Sequence, residues 1–179
     1  MTDVENLSDD HLKNLIKNHQ DKRATDRPLY RASVEEMHRR HGGGLDVDRS
    51  VAYLREAAAA RRFVSYGELA AANGASWDKV RYPMNTHLWA LICLARAKGW
   101  PMLSAMVVNK QNLATGTMEK DTLAGFVKAA IELGYAVDDP VAFLVAQQEA
   151  CFGWGGAGDV QNPDLVRHEP GSAQSVELM

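Results

Sequence analysis

Proline and glycine cut this sequence into pieces, and each piece has the length of a short helix. Pro28 opens one. Gly42, Gly43 and Gly44 close it, Gly74 ends another, Pro83 interrupts a third, and Gly99 with Pro101 ends the longest. Proline fixes φ and lacks an amide hydrogen, so a helix accepts it in the first turn and not in the middle. Glycine after a helical run supplies the residue that closes it. Such punctuation leaves room for a mainly α fold of short packed helices. No stretch approaches the roughly 18 apolar residues of a membrane span, so no membrane partner is expected.

Caps and apolar spacing place the helices. Ser8 caps a helix over about 9–19, with Asp9 and Asp10 in its first turn and Leu12, Leu15 and Ile16 on one face. Pro28 begins a helix that runs to His41. Asp46 or Asp48 begins one over about 47–61. Phe63, Val64 and Ser65 read as a brief strand, and Ser65 with Glu68 forms a capping box for the helix up to Gly74. Ser76 caps a short turn at 77–82, and Pro83 forces a kink or restart before a helix at 84–98. Residues 102–108, MLSAMVV, are the best strand, NKQNLATG a loop or wing, and 113–118 a weak second strand. Helices at 119–133 and 141–153 follow. From 156 to 179 the composition predicts a mostly disordered tail.

Apolar residues make up 46% of the chain and aromatic ones only 7%, so the core is mainly Leu, Val, Ala and Met. Cys93 and Cys151 lie far apart among apolar residues and are read as reduced, buried and structural. The acidic, polar N-terminus does not resemble a secretory signal, and a cytoplasmic location is expected. Charge is unevenly spread. Residues 1–110 hold 17 Lys/Arg against 13 Asp/Glu, whereas residues 111–179 hold 3 against 10. Within 55–110 the balance is 8 basic to 3 acidic.

That basic surplus falls where the order helix, short strand, helix, turn, helix, strand, wing is read. It is the order of a winged helix-turn-helix, in which a short helix braces a second that enters the major groove. Lys79 and Arg81 sit at the start of the second helix, with Trp77 and Asn85 near them. Arg61, Arg62 and Lys110 flank the unit, where they would reach phosphate. These seven residues are the candidate nucleic-acid contacts.

Catalytic groups are not indicated. His38 and His41, three apart with Glu35 beside them, lack a third metal ligand and are read as exposed helix surface. His87 is read as a hydrogen-bonded structural histidine. Ser104 lacks the turn of a hydrolase nucleophile. No metal and no cofactor are expected.

The run FVSYGELAAANGASWDKVR resembles the DNA-binding half of the O6-alkylguanine-DNA alkyltransferases. Val64, Ser65, Tyr66, Leu69, Ala70, Gly74 and Arg81 match its opening, and Val107 and Val108 match its end. The likeness spans 63–108. It implies a winged-helix, alkyltransferase-like scaffold that binds DNA. Alignment on the Val-Val pair puts Ser104 at the family's alkyl-accepting cysteine, Ala105 at its histidine and Met106 at its arginine, which removes a route to alkyl transfer. The pattern from His87, Leu88 and Trp89, through Lys98, Gly99, Trp100 and Pro101 and the Val107–Lys110 run, to Gln147, Gln148, Phe152 and Trp154 is similar to a group of small bacterial proteins without an assigned activity.

The expected organisation is an N-terminal helical arm at 1–46, a winged-helix-like core at 47–118, a C-terminal helical pair at 119–155 and a tail at 156–179. The expected function is non-enzymatic DNA binding with weak or no sequence specificity. The alternative is a protein–protein adaptor or oligomerisation module, with a partner docked through the acidic C-terminal part.

Overall fold

The structure, a computed structural model, describes residues 3–157. It is mainly helical. Eight α-helices occur among the described residues: α1 Asp9–Asp21, α2 Pro28–His41, α3 Val47–Ala59, α4 Tyr66–Ala72, α5 Trp77–Val80, α6 Met84–Ala97, α7 Lys120–Glu132 and α8 Pro140–Ala157. Two strands, β1 Val64–Ser65 and β2 Val107–Val108, pair in parallel, with Val64 opposite Val107 and Ser65 opposite Val108. A parallel pair needs a crossover, and here α4, α5 and α6 provide it.

Local chemistry sets most helix ends. Ser8 accepts the His11 amide, Asp46 accepts the Arg49 amide, and Ser65 and Glu68 form a complete capping box. Ser76 stands at the N-cap of α5 but makes no side-chain cap bond. Gly43 has φ +66°, and a Cβ there would lie 2.6 Å from Pro83 Cγ. The glycine run is therefore a close-packed stop against the proline that opens α6.

The core joins α3, α6 and α8 around residues 102–108. Leu54, Ala57, Ala58, Leu91, Leu103 and Cys151 are fully buried. A Cβ on Gly155 would come 2.5 Å from Ala58 Cβ and from the Ala59 nitrogen, so α8 and α3 touch backbone to backbone. Cys93 and Cys151 are free and buried.

Two β assignments change. The strand expected at 102–108 is a 3-10 turn at Leu103–Met106 followed by only two strand residues, and 113–118 is not a strand. The cause lies in α8. Gln147 Oε1 accepts the Met102 amide at 2.8 Å, and Gln148 Nε2 donates to Ala105 O at 3.1 Å and Gly116 O at 2.8 Å. Buried peptide groups need partners, and these come from side chains instead of a strand ladder. The final helix also runs past its expected end, so Gly156 and Ala157 are helical. Residues 158–179, the rest of the expected tail, lie outside the described residues.

Candidate nucleic-acid interface

The candidate interface centres on the α5–α6 turn. Val80 is the buried anchor of α5, and the residues around it, Trp77, Asp78, Lys79, Arg81 and Tyr82, are exposed. Residues 81–83 form the break. Pro83 keeps helical angles (φ −66°, ψ −17°), and the His87 amide bonds Pro83 O at 3.0 Å, so α6 restarts at once. Asn85, exposed in the first turn of α6, follows Tyr82 on the same turn. The rest of α6 is core: His87, Ala90, Leu91, Ile92 and Cys93 are buried. At this turn, α5 and the first turn of α6 carry the exposed side chains.

Trp77 is 39% exposed and Tyr82 77%. Trp77 packs on Tyr66 with ring centroids 5.7 Å apart. The Arg81 guanidinium stands 4.7 Å from the Tyr82 ring centre, and its Nη2 donates to the Tyr82 hydroxyl at 3.1 Å. Lys110 is exposed just after β2. Its neighbours Asn109 and Gln111 both donate to Glu119, at 3.0 and 2.5 Å. Glu119 also helps raise the Tyr66 pKa, after burial, the larger cause.

Arg61 and Arg62 are held elsewhere. Arg61 pairs with Glu149 of α8 at 3.1 Å and lies 4.6 Å from the Phe152 ring centre. Its own φ is +52°, a left-handed angle that closes the link from α3 to β1. Arg62 donates to the Tyr53 hydroxyl at 3.3 Å and lies 3.8 Å from Glu68. Both guanidinium groups fasten the fold, and their charge is met within the protein. Of the seven candidates, the structure brings together Trp77, Lys79, Arg81 and Asn85, leaves Lys110 exposed on the loop after β2, and pairs off Arg61 and Arg62.

Sequence reasoning missed Tyr82, an exposed aromatic beside Arg81 and just before a helix-breaking proline. It also misread His38. That side chain is half-buried, not exposed surface: its Nε2 meets His87 Nδ1 at 2.9 Å, and His87 Nε2 meets Ser50 Oγ at 2.7 Å. His87 is fully buried and structural, as expected. Burial lowers the His38 pKa, and burial followed by the neighbouring His38 lowers that of His87 to about 4. His41 instead reaches Asp9, at 2.6 Å.

No family model matches this sequence, and no curated protein or solved structure matches it either. No helix among the described residues is long and apolar enough to cross a membrane.

Proposed function

We propose that this chain binds DNA, with weak or no sequence specificity, through the exposed α5–α6 turn of a winged-helix-like scaffold. One observation carries the reading. Tyr82 is 77% exposed, is stacked with Arg81, and shares its turn with Trp77, Lys79 and Asn85. Aromatic rings beside cations take stacked bases and phosphates together, and they do so without reading base identity. A helix as short as α5 offers few side chains to base edges, which fits low specificity. The likeness of residues 63–108 to the alkyltransferase DNA-binding half points the same way, with Ser104 at the cysteine position leaving binding without transfer.

The test is an anisotropy titration of labelled duplex and single-stranded DNA across a salt series. Counterion release gives a slope of about −0.9 per phosphate contact on duplex. The Lys79→Ala/Arg81→Ala variant is expected to flatten that slope by about 1.8. Tyr82→Ala is expected to weaken single-strand binding by about 1–3 kcal/mol, the size of one stacked base. Absence of binding at low salt overturns the reading.

A second reading has its own observation. Val141 and Val145, one turn apart on α8, are 59% and 50% exposed, and Ile131 of α7 is 57% exposed. Apolar side chains in such a group suit a protein partner. If light scattering shows a larger species while DNA binding is absent, the adaptor role is preferred.

A further inference from the structure

Helices α2, α3 and α6 enclose a cavity of about 320 Å³ that the DNA-binding reading does not use. Its volume lies in the range of small-molecule pockets. Val34, Val47, Ala90, Cys93 and Leu94 supply apolar walls. Basic side chains gather at one end, and Glu35 lies between Arg31 and His38, about one turn from each. Tyr30 meets Cys93 at 3.6 Å and His38 meets His87 at 2.9 Å, so α2 and α6 run antiparallel along the cavity. Arg31 of α2 and Lys98 of α6 therefore share one end, and His38 lies at the other with Asp48 of α3. At 1.5 Å per residue, Arg31 and His38 are separated by roughly 10 Å along the helix.

His38 is held in one orientation by a chain of hydrogen bonds. The Asp46 amide donates to Asn73 Oδ1, which turns Asn73 Nδ2 toward Leu69 O and Ser50 Oγ, both at 2.9 Å. Ser50 Oγ accepts there and also meets His87 Nε2 at 2.7 Å. His87 Nδ1 meets His38 Nε2 at 2.9 Å, which leaves His38 Nδ1 as the ring nitrogen outside the chain. The Nε2–Cδ2 edge of His38 faces Gly42, since a Cβ there would meet both atoms at 2.6–2.7 Å. Nδ1 is the ring vertex opposite that edge. Burial keeps His38 neutral near pH 7.

We propose that the cavity binds a small elongated molecule with a carboxylate at the Arg31/Lys98 end, an aliphatic middle, and a neutral hydroxyl group that hydrogen-bonds His38 Nδ1. Asp48 at the His38 end sets the polarity, because a second anion beside it is repelled.

The probes are 6-hydroxyhexanoate, hexanoate and hexanol, added to the full chain with ¹⁵N-labelled histidine. 6-Hydroxyhexanoate is expected to move the His38 ring resonances and to bind at least about tenfold more tightly than either single-ended probe, as one lost charge-assisted bond implies. Arg31→Glu/Lys98→Glu, two changes at exposed side chains, is expected to abolish the preference for a carboxylate. The result that overturns the proposal is no His38 response to any probe, or equal response before and after charge reversal. Lys79→Ala/Arg81→Ala leaves this site intact, so its failure and that of DNA binding are read separately.

Discussion

Gln148 shows how much one side chain decides. It is 5% exposed, and its amide nitrogen gives one hydrogen to Ala105 O and one to Gly116 O. Both carbonyls belong to a segment that forms almost no ladder, so they have little other support. An orphaned buried carbonyl costs about 1–3 kcal/mol. Gln148→Leu keeps the bulk and removes both donors, so a loss of at least about 2 kcal/mol is expected from the urea midpoint. A variant as stable as the parent means that other groups satisfy these carbonyls. The same residue explains why 102–118 was hard to read. MLSAMVV has the composition of a strand, but its partners are 43 and 45 residues away on α8. A window of neighbouring residues contains no trace of them. His38 was misread for a related reason: its partner His87 is 49 positions on.

Helices were legible where their causes are local. Ser8, Pro28, Asp46 and the Ser65–Glu68 box fix starts, and Gly74 and Pro83 fix breaks, within a few residues of the helices they bound. Contacts between helices follow other rules, and two of the three glycines of α8 show it. A Cβ on Gly153 meets nothing within 4 Å, whereas one on Gly155 meets the α3 backbone at 2.5 Å. Alanine gains about 1 kcal/mol over glycine in a helix interior. Overpacking costs about 1–3 kcal/mol, and α3 backbone cannot swing aside as a side chain does. Gly153→Ala is therefore expected to raise Tm and Gly155→Ala to lower it, each by several degrees, since 1 kcal/mol shifts Tm by about 2–4 °C at this size. A scanning calorimetry pair with shifts of the same sign rules out the close α3–α8 approach. The candidate DNA site divides in the same way. Trp77, Lys79, Arg81 and Asn85 are exposed by the local break at Pro83, whereas Arg61 is neutralised by a glutamate 88 residues away.

At the scale of the whole molecule, acid acts on two separate fastenings. The N-terminal arm is tied to α2 through Arg40, which bonds Glu36, Asp9 and the carbonyls of Leu7 and Glu5. Arg39, and next to it Arg40, hold the Glu36 carboxyl down to about 2 from 4.5. A carboxylate whose folded pKa is lowered stabilises the fold above its unfolded pKa, and that stability is lost as pH falls from about 4.5 to about 2. His87 fastens α6 to α2 and α3 in its neutral form, with a folded pKa of about 4 against 6.5. A base with a lowered folded pKa takes up protons more readily when unfolded, so its share of stability is lost earlier, as pH falls from about 6.5 to about 4. Urea midpoints measured from neutral pH to acid are thus expected to fall in two stages. His87→Gln is expected to remove the first stage and leave the second, and Glu36→Gln to do the reverse. A single stage that both variants shift equally means that arm and core titrate as one unit, and the two fastenings are not independent.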